Sequence, residues 1–132
     1  MKATGTFNAD LKPIDGYAEG INDIKLNRIS IDKSFEGDLT GTSKGEMLSV
    51  MTPVKGSAGY VAIEQVTGEI GGMNGSFVLQ HFGTMHSGHE RLILEVVPDS
   101  GTGDLAGISG SMSIKINDGQ HFYEFDFSIA AE

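Results

Sequence analysis

The sequence predicts an all-β protein: a closed, eight-stranded antiparallel up-and-down barrel with little or no helix, formed by residues 1–132 as one domain. Three observations carry this expectation. A glycine-acid-aliphatic phrase occurs three times, as Gly37-Asp38-Leu39, Gly68-Glu69-Ile70 and Gly103-Asp104-Leu105, with copies starting 31 and 35 residues apart. That spacing accommodates two long strands and their turns, and each copy reads as the turn and first outgoing residues of a hairpin. No segment sustains a helical period, whereas apolar residues alternate over several stretches. Finally, the chain has 19 glycines but three prolines and no low-complexity run. Glycines within strand patterns mark bulges and close backbone approach, which a small closed barrel needs to turn its corners.

In chain order, Ala3 to Ala9 alternates as a first strand. Asp10 to Asp23 contains Pro13, Gly16 and Gly20 and reads as a long connection with room for one helical turn. Ile24 to Phe35 is a second strand, and Glu36-Gly37 a two-residue turn into Asp38 to Met51. Pro53 and Gly56 break the chain before Ser57 to Val66. Glu69 to Met85 leaves the second phrase, His86-Ser87-Gly88 is a polar connection, and Glu90 to Val97 follows. Pro98-Asp99-Ser100-Gly101 is the third turn, feeding Gly103 to Ile116. Asp118-Gly119 is a type I′ hairpin signal, because both central residues need positive φ, and His121 to Ile129 ends the barrel.

Two hairpins can be read face by face. With Asp118-Gly119 as the loop, position i pairs with 237 − i. Tyr123, Phe125, Phe127 and Ile129 then oppose Ile114, Met112, Gly110 and Ile108, while Ser113, Ser111 and Ser109 oppose Glu124, Asp126 and Ser128. One apolar and one polar face is the pattern of a half-buried antiparallel pair. In the middle hairpin a turn at Thr67-Gly68 or at Gly71-Gly72 gives the same faces. One carries Tyr60, Ala62, Glu64, Val66, Phe77, Leu79 and His81; the other carries Val61, Ile63, Gln65, Thr67, Val78, Gln80 and Phe82. If the first lines the lumen, Val61, Ile63, Val78 and Phe82 form an outer apolar patch, which points to a homo-oligomer packed through these strands.

Composition removes several function classes. Nine Lys plus Arg stand against 18 Asp plus Glu, a formal charge of −9. Such a surface repels phosphate backbones, so nucleic acid is not an expected partner. The absence of cysteine fits a reducing compartment and removes disulfides and thiolate metal sites. No apolar run resembles a secretory signal or a membrane span, so a cytoplasmic protein with no membrane partner is expected.

Tyr60, Glu64 and His81 form the most chemical constellation. If their face is interior, Glu64 lies among apolar residues, which raises a carboxyl pKa and suits a general acid or base. The simpler reading is that Glu64 and His81 satisfy each other in a polar core layer. Phe77 and Leu79 complete the candidate lumen on these strands, and His121 and Tyr123, on the apolar face of the last strand, would line one mouth. Tyr123 also reads as a core aromatic with its hydroxyl at the rim. Arg28 could hold an anionic head group, although a surface arginine is the plainer reading. His86, His89 and Glu90 could offer zinc ligands, but no second rigid pair completes a tetrahedral set, and neither metal nor cofactor is expected. Ser100-Gly101-Thr102-Gly103 is not a phosphate loop, since the residues that follow alternate as a strand and begin with Asp104.

The segments Gly37-Asp38-Leu39-x-Gly41, Ser57-Ala58-Gly59-Tyr60-Val61, Gly75-Ser76-Phe77-Val78-Leu79-Gln80-His81 and Val96-Val97-Pro98-x-Ser100-Gly101-Thr102-Gly103-x-Leu105-x-Gly107 resemble a bacterial family of small uncharacterised proteins. The resemblance covers roughly residues 35 to 127, and Ser-Gly-Thr-Gly-x-Leu-x-Gly is its most specific part. Asp99 stands where glycine is expected and Asp104 where glutamate is commoner. The resemblance implies a fold similar to the allene oxide cyclase barrel; the family has no established activity, so it implies no catalytic residues. Fold relatives hold apolar substrates in the barrel, which is analogy at the level of fold.

The leading functional expectation is a protein that binds a small, largely apolar molecule in the barrel, oriented by Tyr60, Glu64 and His81. Second comes a structural homo-oligomer with a packed, non-binding lumen. Third comes an isomerase or cyclase that uses the same pocket, with Glu64 or His81 moving a proton and Tyr60 donating to a developing oxyanion.

Overall fold

The computed structural model describes residues 1–130. They form eight antiparallel strands: β1 (Lys2–Ile14), β2 (Lys25–Gly37), β3 (Leu39–Met51), β4 (Ala58–Ile70), β5 (Met73–His86), β6 (His89–Val96), β7 (Ile108–Asn117) and β8 (Gln120–Ile129). Each strand pairs with its sequence neighbours, and β8 returns to β1, so the sheet is a closed up-and-down barrel. Among the described residues there is no α-helix, only a 3₁₀ turn at Gly103–Leu105, and no helix is long and apolar enough to cross a membrane.

The period-two pattern decides what points inward. In the last hairpin every pair from Ile108↔Ile129 to Asn117↔Gln120 follows the expected register. Asp118 and Gly119 both have positive φ, 51° and 76°, as a type I′ turn requires. Ile108, Met112, Tyr123, Phe125 and Phe127 are buried on its inner face. In the middle hairpin Ile70 pairs with Met73, which places the turn on Gly71-Gly72, both again at positive φ. The Tyr60–His81 face is interior, and Val61, Ile63 and Phe82 are outside.

The thrice-used phrase plays three different local roles rather than one. Gly37-Asp38 forms the tip between β2 and β3, so the first turn lies beyond Glu36-Gly37. Gly68-Glu69-Ile70 ends incoming β4, and Gly103–Leu105 is the 3₁₀ turn, so the last outgoing strand starts only at Ile108. What the copies share is the end of the barrel at which they lie. Leu39, Ile70 and Leu105 are all buried in one cluster with Phe77, Phe125 and Phe127, and Phe125 stacks on both other rings at 5.5 and 5.2 Å. Together they plug that end, each aliphatic side chain contributing about 1.5–3 kcal/mol of burial. Asp38 and Asp104 also accept the backbone N–H groups of Thr4 and Asn74, at 2.9 and 3.0 Å.

The opposite end is unfilled. β1 runs on to Ile14, five residues beyond the expected strand, with no helical turn before Ile14. It pairs with β8 only over Lys2 to Phe7. Pro13 therefore sits on a strand with one free edge, where its missing N–H breaks no ladder. β6 and β7 share a single bridged pair, Glu95↔Ser111. Apart from the β6–β7 seam, the barrel is thus laced all round its plugged half, and it is loosely laced around its mouth.

Candidate functional site

Successive inward layers of β3, β4, β5 and β6 stack from the plug towards the mouth. The first is Gly45, Glu64, Leu79 and Val96; the next is Met47, Ala62, His81 and Leu94; the third is Ser49, Tyr60, Gly83 and Leu92. Glu64 therefore lies one layer deeper than His81 and two layers deeper than Tyr60. Glycine makes this arrangement possible at Gly83, where a Cβ would come within 2.3 Å of the Tyr60 ring.

Glu64 is fully buried, and one of its oxygens holds two donors. Lys33 Nζ donates to Oε2 at 2.8 Å, and His81 Nε2–H donates to the same oxygen at 2.8 Å. The proton is on Nε2 because an ionised carboxylate only accepts. In the neutral imidazole Nδ1 is then the acceptor, and it has no hydrogen-bond partner among the described residues. Glu64 Oε1 and Ser43 Oγ are likewise buried without partners among them. Lys33 Nζ also lies 4.8 Å over the Phe7 ring, and Phe7 meets His121 at 4.9 Å.

The Glu64 carboxyl departs from the sequence expectation. Burial is the largest single influence and pushes its pKa up. The His81 hydrogen bond and the charge and hydrogen bond of Lys33 together outweigh burial, so the group is held below the ordinary carboxylate value. Glu64 is ionised at neutral pH and not poised as an acid. Tyr60 moves the other way: burial first, then the charges of Glu64 and Glu90, raise its phenol, so it is a neutral donor. Its ring centroid is 6.1 Å from that of His81.

Above this triad a cavity of about 620 Å³ fills the open half of the lumen. Lys33, Tyr60, His81 and His121 reach it, together with an apolar wall from Phe7, Leu11, Ile31, Met47, Met85, Leu92, Ile114 and Ile116. Glu90 and Arg91 stand at its mouth. The cavity lies where β6 and β7 part company, since Leu92 and Ile114 come from those two strands.

All seven candidate lumen residues face inward, but they divide between the two halves. Tyr60, His81 and His121 line the cavity, whereas Glu64 lies beneath His81 and can act on an occupant only through it. Phe77, Leu79 and Tyr123 belong to the packed half. The Tyr123 hydroxyl accepts the Leu39 N–H at 2.9 Å and faces the Glu36 and Leu39 carbonyls at 3.0 and 3.1 Å, a structural knot away from the mouth. Arg28 is outside the barrel, paired with Glu46. His86 and His89 oppose each other across the Ser87-Gly88 turn, and among the described residues no group of three or more His, Asp or Glu could hold a metal ion. Lys33 is the residue that sequence reasoning missed. Its signal was present, since it interrupts the inward series Ile29, Ile31, Lys33, Phe35.

Fold and site together define a one-ended barrel: packed and aromatic at one end, hollow at the other, with a buried Lys-Glu-His triad between. The chain belongs to the family described as "Protein of unknown function (DUF3224)", whose model matches residues 3–127. It is similar over its whole length to a protein of unknown function of that family from Shewanella oneidensis, known from a crystal structure. The two share 56% identity with a TM-score of 0.98, covering 100% of this chain and 98% of that one. No curated protein matches the sequence.

Proposed function

We propose that the protein binds a small, largely apolar molecule in the open half of its barrel. The observation that carries this reading is the cavity of about 620 Å³, within the usual range for small-molecule sites, mostly apolar and with few convergent polar groups. Tyr60, His81 and Lys33 meet at its floor and would orient the occupant. A stability role alone does not require such a cavity, because the plug at the other end already forms a core. Titration with N-phenyl-1-naphthylamine, an uncharged dye that brightens in apolar sites, tests the proposal. Saturable binding of one dye per chain is expected, and a linear, non-saturating response would count against it.

We further propose self-association through the outer face. Leu48, Val61, Phe82 and Ile93 form a continuous cross-strand row over β3 to β6. With Ile63 they are between 40% and 58% exposed; Val78 lies further along β5, opposite Gln65 and separated from Phe82 by Gln80. Exposed apolar patches of this kind mark interfaces. Sedimentation should show a dimer or larger species that Val61→Lys with Phe82→Lys dissociates; a monomer at micromolar concentration argues against it.

A further inference from the structure

Resting on the proposed lumen binding, we infer that the cavity selects molecules whose polar group is an uncharged oxygen, a carbonyl or a hydroxyl, and rejects both carboxylates and amines. The inference comes from the charge inventory of the floor. Lys33 is the cation at the floor, and it is matched one to one by Glu64 at 2.8 Å, with both side chains at most 9% exposed. A ligand carboxylate cannot claim Lys33 without competing against a carboxylate that is covalently fixed in place. Removing one partner from a buried pair leaves an uncompensated charge, the costly outcome. A second carboxylate, Glu90, stands at the mouth, while Arg91 beside it lays its guanidinium over the outer Phe82 ring, 5.6 Å from the centroid. An anionic group at the level of Tyr60 therefore meets Glu64 below and Glu90 above. The phenol of Tyr60 senses the same field, for burial and these two charges all oppose its ionisation. An ammonium head group at the floor fares no better, because it would lose its water beside the Lys33 charge, and the Glu64 oxygen facing Lys33 and His81 already holds both of them.

The hydrogen-bonding groups left over suit a neutral oxygen. Tyr60 hydroxyl has no partner among the described residues and can donate. Lys33 uses one of its three N–H donors on Glu64, and His81 presents an accepting Nδ1 once Nε2–H is committed. A carbonyl would accept from the Tyr60 hydroxyl; a hydroxyl would accept from it and also donate its own O–H to Nδ1 of neutral His81. In a water-poor pocket such bonds discriminate strongly, because the analogue that cannot make them leaves buried polar groups unpaired.

Competition against N-phenyl-1-naphthylamine with four nine-carbon compounds, 2-nonanone, 1-nonanol, nonanoate and nonylamine, at pH 8 provides the test. The ketone or the alcohol should displace the dye at least tenfold more tightly than either charged compound. Tyr60→Phe should weaken the ketone about five- to tenfold and narrow its advantage over nonanoate. Glu90→Gln should improve nonanoate several-fold relative to the ketone. Nonanoate or nonylamine binding tightest would overturn the inference while leaving lumen binding intact. Unchanged ketone affinity in a folded Tyr60→Phe protein would overturn it as well. Failure of the dye itself to bind would instead remove the reading on which the inference rests.

Discussion

Lys33 decides the character of the site. Burial pushes the Glu64 carboxyl up, but the His81 hydrogen bond and the Lys33 ammonium 2.8 Å away together hold it down, so it stays charged. The linkage has a definite sign. A carboxyl whose folded pKa is depressed stabilises the fold above its unfolded value, about 4.5, and that contribution disappears as pH falls through the folded value. Glu64→Gln should therefore cost about 3–5 kcal/mol near neutrality, because it strands a buried lysine. The gap between wild type and variant, measured by urea unfolding, should shrink as pH drops below 4.5; a constant gap would mean that Glu64 is not ionised in the fold. Asp99 offers a second test. It holds φ +63° after Pro98, in a turn closed by Ser100 N–H to Val97 O at 3.2 Å. This is the third position of a type II turn, where glycine is favoured. Asp99→Gly should raise stability by about 0.5–1 kcal/mol, read as an increased urea midpoint. The misfit of Asp99 was legible in the sequence. Lys33 was legible only as a break in alternation, and its partner could not be read, because pairing across three strands depends on registers that no single turn fixes.

At the scale of elements, the segment between β6 and β7 explains the most specific motif in the chain. Ser100, Thr102 and Asp104 alternate along it, and their side chains accept the N–H groups of Val78, Ser76 and Asn74, each at 3.0 Å. Side-chain oxygens thus continue the ladder along β5 where β6 ends at Val96. The motif read as a turn leading into a strand at Gly103 and is instead a side-chain substitute for a strand. Ser100→Ala and Thr102→Val should each cost about 1 kcal/mol and speed hydrogen exchange at the Val78 and Ser76 amides respectively. Unchanged exchange at both amides would show that the hydroxyls are dispensable. The last hairpin was legible because Asp118-Gly119 signals two consecutive positive φ values. In the middle hairpin the faces were legible but the turn was not, because Thr67-Gly68 and Gly71-Gly72 give the same faces and only the Ile70↔Met73 pair separates them. The Gly37-Asp38 tip was misplaced because Gly37 remains in β2, opposite Gly5, and turns the chain one residue later.

At the scale of the molecule, one inward face is used for two purposes. The plugged end concentrates Leu39, Ile70, Leu105 and the stacked phenylalanines, and its strands are laced on both sides except along the β6–β7 seam. The mouth gives up the β1–β8 ladder beyond Phe7 and nearly all of the β6–β7 ladder. A barrel closed at one end can carry its stability there and leave the other end open, because strand pairing and burial are local to each layer. Alternation in the sequence showed which side chains point inward but not which half they fill. Filling depends on side-chain volume summed around a ring of strands whose stagger is a property of the closed sheet. That is why Phe77, Leu79 and Tyr123 read as pocket residues and lie in the packed core.

The most direct test of a ligand-binding mouth is to fill it without touching the triad. Ser49→Phe combined with Ala58→Phe places two rings into the cavity from neighbouring strands β3 and β4. The double variant should keep the melting temperature of the wild type, or exceed it, while its affinity for N-phenyl-1-naphthylamine falls at least tenfold. A folded double variant that binds the dye as tightly as the wild type would place binding elsewhere and contradict the hollow barrel as the functional site.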